Sequence, residues 1–271
     1  MNESKKTTSS SVENALKILK SFSMDEPELG VTDIAEKLNI AKSTAHRLLT
    51  SLASEGFVYK DMNSNYYSLG ASILRLTNIV SSQLKILNEA TPVLNVLTEE
   101  TGENSHISIL EGKEIIYLQK IECAYPTKME YTHIGRRNPA YCTSAGQAIL
   151  AFEEKETIDF ICSQPLKKFA PNTITSPDEL RKKLLKVQNE GYVVSNQEFQ
   201  RGIIGIAAPI FNEKNKVIAS VNITGPIKRI NAMNLPQLVK KVVNAGERIS
   251  VLIKQRKQND SFSKINQQGG N

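Results

Sequence analysis

No run of about 18 apolar residues occurs in the chain, so no membrane-spanning helix is expected. The opening residues, MNESKKTTSSS, have lysines but no apolar segment behind them, and are not read as a secretory signal. Cysteine is scarce. Cys123, Cys142 and Cys162 are odd in number and far apart, which argues against a disulfide framework and fits a reducing cytoplasm. Histidine is equally scarce, and His46, His106 and His133 show no ligand-like spacing with the cysteines, so no metal site is expected. No glycine-rich phosphate loop, Walker motif or nucleophile elbow is found. The adjacent pairs Glu99-Glu100 and Glu153-Glu154 point in different directions and read as solvated. Nothing positive supports an enzyme, and no cofactor is expected.

What is present is ordinary in amount and informative in arrangement. At 271 residues the chain has room for two cores, and its 40% hydrophobic and 23% charged shares are those of a globular protein. The net charge of +6 is misleading. Residues 1–70 hold eight Lys/Arg against nine Asp/Glu, a balance of 8 − 9 = −1, while residues 228–271 hold nine against only Glu247 and Asp260. Global charge is therefore no argument for nucleic-acid binding by the N-terminal part. Any such argument must be local.

The local argument comes from Val31–Phe57. Ile34, Ala35 and Leu38 form an apolar stripe, with Thr32 expected as the N-cap, and Asn39 breaks the pattern. Ala41, Ala45, Leu48, Leu49 and Leu52 then recur at helical spacing until Gly56 stops the helix. The opposite face carries Lys42, Ser43, His46, Arg47, Thr50 and Ser51. One greasy side and one side of short hydroxyls with cations suits a helix in a DNA major groove. The expected DNA-contacting set is Thr32, Lys42, Ser43, Thr44, His46, Arg47 and Thr50, with Lys37 and Lys60 as nearby cations. A plain helical hairpin with a solvated face is the alternative on this stretch alone. The strand–turn–strand pattern of Phe57–Leu69 favours the DNA reading, because a hairpin after a recognition helix is a wing.

In chain order, residues 1–10 are expected to be disordered, 11–70 to form a winged helix–turn–helix domain, 71–84 a helical connector, 85–257 an effector-binding domain, and 258–271 a disordered tail. Ser11 is read as the cap of a first helix through Phe22. The connector has more apolar residues than one face needs, which points to a partner helix from a second copy. Lys85–Thr101 reads as helix, with Pro92 placed only at a bend or first turn. Strands are expected at Asn104–Leu110, Glu114–Glu122, Lys128–Thr132, Tyr192–Gln197, Ile203–Phe211 and Val217–Thr224. Helices are expected at Ser144–Glu154, Lys155–Cys162, Ser176–Asn189 and about Leu235–Gln255. Strands in two blocks with helices between them give an α+β class, a mainly antiparallel sheet flanked by helices.

Four blocks, Ser11–Leu19, Thr32–Val58, Gly135–Ala148 and Gly191–Pro226, resemble the IclR-type bacterial transcriptional regulators, over about Val12–Ile253. The resemblance implies an N-terminal winged helix and a C-terminal GAF-like domain. It also implies dimers, often tetramers, on palindromic double-stranded DNA operators, and a pocket for a small organic acid or aromatic molecule. Carried over by position, that pocket is lined by Ser144, Ala145, Ser195, Gly205, Asn222 and Thr224. Ser195 replaces an acidic residue of the type member, and Gly205 replaces a cysteine. The residues themselves agree in part. Thr143–Gly146 open a helix, where free N–H groups favour an anion, and Asn222 and Thr224 share one strand face. The expected function is a cytoplasmic, sequence-specific regulator, a repressor, whose operator binding a small organic metabolite modulates. The alternative is a DNA-bound oligomeric regulator with no effector.

Overall fold

A computed structural model describes residues 10–125 and 131–268. The chain forms two compact units, Met1–Leu84 and Lys85–Asn271. Of the stretch 1–10, for which the composition predicts disorder, residues 1–9 lie outside the described residues.

The first unit is a three-helix core with a hairpin. Helices α1 (Ser11–Ser21), α2 (Val31–Leu38) and α3 (Lys42–Ser54) bury Ile18, Ile34, Ala35, Ala45, Leu48 and Leu49 against one another. Each large side chain so buried contributes roughly 1.5–3 kcal/mol. Two expected caps move by a residue or two. The α1 cap is Ser10, whose hydroxyl accepts from the Glu13 N–H at 3.1 Å. The α2 cap is Gly30, not Thr32. The Asp33 carboxylate reaches back to the Gly30 N–H at 2.8 Å, which starts the helix at Val31 and leaves Thr32 exposed in its first turn. Asn39 turns the chain between α2 and α3 with φ of 52°, a conformation asparagine tolerates better than most residues.

Strands β1 (Val58–Lys60) and β2 (Tyr67–Leu69) form the antiparallel hairpin, and Leu29 bridges to Tyr67. The hairpin is fastened to the end of α3. Gly70 N–H donates to Phe57 O at 2.8 Å, and a Cβ on Gly70 would lie 2.1 Å from Gly56 O, so only glycine fits there. Helix α4 (Ser72–Gln83) completes the unit, with Leu74, Leu76, Ile79 and Val80 exposed.

The second unit is a six-stranded antiparallel sheet. Its strands are β3 (Asn104–Glu111), β4 (Glu114–Ile121), β5 (Arg137–Pro139), β6 (Val193–Asn196), β7 (Ile203–Phe211) and β8 (Val217–Pro226). Their order is β5-β4-β3-β8-β7-β6. One face is apolar and carries Ile107, Ile206, Val221 and Ile223 against α5 (Lys85–Thr101) and α9 (Leu235–Gln268). The other face lies under α6 (Ser144–Leu150), α7 (Lys155–Cys162) and α8 (Pro177–Glu190).

Several boundaries differ from those expected. Pro92 stands inside α5, where it costs about 3 kcal/mol, and burial of Ala90, Val93, Leu94 and Leu97 around it offsets that. Strand β5 has no counterpart among the expected strands, because a three-residue edge strand ending in proline has no readable period. Tyr131 and Thr132 are not in a strand, and the rest of the strand expected at Lys128–Thr132 lies outside the described residues. Helix α6 stops at Leu150 rather than Glu154. Helix α9 runs to Gln268, so the segment expected to be a disordered tail from 258 is helical that far. Residues 258–268 contain no glycine or proline to stop the helix. No helix among the described residues is long and apolar enough to cross a membrane.

Candidate functional site: a nucleic-acid face and a hydroxyl-lined cavity

The two units each carry one candidate site. In the first, α3 rests on Ala45, Leu48 and Leu49, which turns its other side outward. Lys42, Ser43, His46, Arg47 and Thr50 are exposed there, Thr44 is half-buried at the margin, and Thr32 is exposed on α2. These side chains are not equivalent. Thr50 donates its hydroxyl to His46 O at 2.9 Å, and Ser51 donates to Arg47 O at 3.1 Å. A hydroxyl that already donates to its own helix has only lone pairs left, and a phosphate needs a donor. Arg47, Lys42 and His46 make no ion pair among the described residues. Lys37, by contrast, is bound to Glu26, and Lys60 lies 5.8 Å from the Tyr67 ring centre. The wing tip is held by Asp61, which accepts from the N–H groups of Asn63 and Ser64, each at 3.1 Å, and from the Ser64 hydroxyl at 2.6 Å. The Ser64 hydroxyl, followed by those two N–H groups, lowers the Asp61 carboxyl below its usual range.

In the second unit a cavity of about 40 Å³ opens between the polar sheet face and α6. That is room for roughly three water molecules. Four of the residues expected to line it do so: Ser144, Ser195, Gly205 and Thr224. Gly205 is pressed close, since a Cβ there would meet Ser144 Oγ at 2.4 Å. Ala145 and Asn222 do not line it. Ala145 is buried in the core beneath α6, and Asn222 is fully buried, with its Nδ2 3.4 Å from His106 Nδ1. The cavity adds Tyr117, Tyr131, Thr132, Thr143, Glu198 and Phe199, none of them in the expected set. Thr143 had the one readable signal, a hydroxyl at a helix entrance. It acts as the cap and accepts from Gly146 N–H at 3.2 Å, so one of the N–H groups expected to meet an anion is already satisfied.

The electrostatics of the wall are unusual. Among the described residues no lysine, arginine or histidine lines the cavity, whereas the Glu198 carboxylate does. Its oxygens accept from Gln147 Nε2 and from Lys183 Nζ, the latter at 3.2 Å. Burial pushes the Glu198 carboxyl up, and the Lys183 charge and Gln147 hydrogen bond oppose that. Burial likewise raises the Tyr117 phenol to about 12, so it stays a neutral donor. Among the described residues no group of three or more His, Cys, Asp or Glu side chains is placed to hold a metal ion.

His106 is fully buried beside Tyr117, with ring centres 5.2 Å apart. Burial first, then the Lys120 charge, depresses its pKa from 6.5 to about 3. An unfolded histidine takes up a proton near 6.5 and the folded one does not. The resulting stability is therefore complete above pH 6.5 and is lost as pH falls toward 3. The loss should be about 1.4 kcal/mol per pH unit within that window. Urea unfolding at pH 4, 5, 6 and 7 checks this, since the difference between wild type and His106→Phe should carry that slope. A pH-independent difference would refute it.

Comparison with known proteins places both units. Residues 11–62 match the IclR helix-turn-helix domain, and residues 78–251 match the bacterial transcriptional regulator IclR C-terminal domain. The chain is 33% identical to the HTH-type transcriptional regulator KipR of Bacillus subtilis, covering 84% of this chain and 90% of KipR. It is 30% identical to XynR of Escherichia coli, covering 89% of this chain and 95% of XynR. An IclR-type regulator structure from Alicyclobacillus acidocaldarius superposes with a TM-score of 0.80 at 27% identity, covering 89% of this chain and 97% of that one. An IclR homologue from Microbacterium hydrocarbonoxydans, solved with 4-hydroxybenzoate, shares the fold with a TM-score of 0.81 at 24% identity, covering 89% of this chain and 98% of that one. With both domains matched in order along the chain, this protein belongs to the IclR family of transcriptional regulators and carries its helix–turn–helix DNA-binding domain.

Proposed function

We propose that the protein is a cytoplasmic repressor that binds a palindromic DNA operator as a homodimer or homotetramer and responds to a small organic acid. The observation that carries the DNA half is the outward face of α3, where Lys42, Ser43, His46 and Arg47 are exposed on a helix anchored from behind by Leu48 and Leu49. Arg47 and Lys42 meet phosphates or base edges, Ser43 and Thr44 make shorter contacts along the same face, Thr32 does so from α2, and Thr50, whose hydroxyl already donates to its helix, only accepts from a base.

The effector half rests on the cavity. Ser144, Ser195, Thr132 and Thr224 provide hydroxyls around this space. Hydroxyls donate to a carboxylate without the charge an arginine would bring. The relative solved with 4-hydroxybenzoate supports an organic acid in this fold. Ligand binding changes the populations of two dimer arrangements, and only a ligand that binds the two with different affinity can do so.

The dimer reading rests on α4 and α1. Leu74 is 67% exposed, Val80 54% and Val12 69%, and such an apolar surface on short amphipathic helices calls for a partner. The double variant Leu74→Glu/Val80→Glu is expected to lower the oligomeric state in light scattering and to weaken operator binding at least tenfold. An unchanged mass would remove α4 from the interface. The function as a whole is tested by operator binding of the full chain with and without candidate acids. Binding to one genomic site that falls with salt and shifts with one acid is the expected result. Binding that no metabolite alters would leave the effector-free regulator.

A further inference from the structure

A second cavity, of about 210 Å³, lies where the loop after α7 meets the start of β4 and the end of β5. Tyr141, Ile161, Leu166 and Phe169 wall it, together with Pro139 and Pro165. The loop is held in place from within. The Tyr141 hydroxyl donates to Lys167 O at 2.6 Å, and the Thr173 hydroxyl accepts from the N–H groups of Phe169 and Ala170 at 3.0 and 2.8 Å. The two prolines add backbone of fixed φ. A pocket formed in advance loses little entropy when it is filled. Pro165, Lys167 and Phe169 are exposed, so this cavity opens to solvent and a ligand can enter it.

Size separates it from the first cavity. An apolar cavity of about 150 Å³ holds benzene. The first cavity, at about 40 Å³, is far below that, and the second is above it. Phe169 is 47% exposed, so a ring laid against it covers apolar surface that now meets water. Tyr141 and Phe169 also offer aromatic partners to such a ring. Charge then selects the substituent. Lys113 and Lys167 line the cavity, are exposed, and make no ion pair among the described residues. Glu114 lines it as well, but Arg137 Nε donates to its carboxylate at 2.9 Å. The uncompensated charge is positive, which favours an anion over an ammonium.

We propose that this cavity is a second ligand site, which takes a single-ring aromatic carboxylate. The site lies outside the effector cavity and does not depend on the effector reading above. The ring lies among Tyr141, Phe169 and Leu166, and the carboxylate meets Lys113 and Lys167 on the solvent side. An inorganic anion would leave the apolar walls unused, and an alkylamine would meet charge of its own sign. The two cavities are neighbours. Phe169 packs on Phe199, which lines the first cavity, with ring centres 5.4 Å apart. Affinity alone therefore does not tell one from the other, and the experiment has to mark each.

The test uses the full chain with benzoate as the probe, benzyl alcohol as its uncharged counterpart, and acetate as the acid without a ring. Calorimetry is expected to give benzoate a dissociation constant of about 1 mM or better, the range a ligand of this size allows. Benzyl alcohol and acetate should each bind about threefold or more weakly than benzoate. Leu166→Trp, which fills the cavity, should weaken benzoate about tenfold or more. Lys113→Ala/Lys167→Ala, at two exposed positions, should weaken it about threefold and remove its salt dependence. Gly205→Ala, which narrows the first cavity, should leave benzoate binding unchanged. Irradiation with 4-azidobenzoate followed by peptide mapping should place the label within residues 161–169. If Leu166→Trp does not fold, the lysine variant and the label decide. Label confined to residues 195–205, or benzoate affinity lost in Gly205→Ala, puts the acid in the first cavity and overturns the second site. Label elsewhere overturns it too, as does no benzoate binding by protein that still binds its operator. Equal binding of benzyl alcohol overturns the carboxylate.

Discussion

Alanine in place of Gly146 is expected to unfold or severely destabilise the second unit, by about 3 kcal/mol or more. A Cβ at this position would lie 2.2 Å from Ala140 O and 2.4 Å from Ala140 Cα. Both are backbone atoms of the 3-10 turn Ala140–Cys142 that leads into α6, and neither can swing aside. The turn and helix are locked further by Gln147 Nε2, which donates to Tyr141 O at 2.8 Å. Thermal unfolding of the variant checks the prediction, and a melting temperature within a degree or two of wild type would contradict it. Gly205→Ala is the informative contrast. Its Cβ meets a side-chain atom, Ser144 Oγ, at 2.4 Å, and a serine hydroxyl can rotate away. That variant should remain folded and lose ligand affinity, because the added methyl group narrows a cavity of only about 40 Å³.

Arg47→Ala is expected to weaken operator binding by about 1–3 kcal/mol if the guanidinium reads a base edge with two hydrogen bonds. Arg47 projects from an exposed position on α3, so its truncation leaves the Ala45–Leu48–Leu49 packing intact. The helix stays in place and only its hold on DNA changes. Fluorescence anisotropy at several salt concentrations separates two modes. Removing a base-edge hydrogen bond relaxes specificity at one operator position. Removing a phosphate partner weakens binding to all sequences alike and reduces the salt slope by about one. Thr50→Ala should have the smaller effect, since the Thr50 hydroxyl already donates to His46 O. Equal affinity of wild type and Arg47→Ala at every salt concentration would take Arg47 out of the interface.

Much of this protein is legible in its amino-acid sequence. The apolar period of 31–54 determines the helix pair and the side of α3 that faces outward. Helix α7 and strand β7 have the bounds expected from the sequence, because the patterns of Lys155–Cys162 and Ile203–Phe211 are unbroken and end at clear stops. The α+β class follows from the same change of period. Local signals fail where two of them compete. Thr32 has the chemistry of a cap, yet Gly30 takes that place because Asp33 closes on its N–H.

The cavity is a different matter. Its wall joins Tyr117 on β4, Thr143 and Ser144 at the start of α6, Glu198 after β6 and Thr224 on β8, which are separated by up to about a hundred residues. No local pattern marks Glu198 as buried and bound by Gln147 and Lys183, because both partners arrive from other helices. Asn222 and Thr224 share a strand face in any reading of the sequence. That one lines the cavity while the other pairs with His106 depends on the β3–β8 register, which only the assembled sheet determines. Sequence by itself determined most of the elements, their class and the side of α3 that faces outward, since these depend on neighbours within a turn or two. The tertiary structure decided which polar groups lie buried together, since burial and pairing are properties of strands and helices that meet only when the chain has folded.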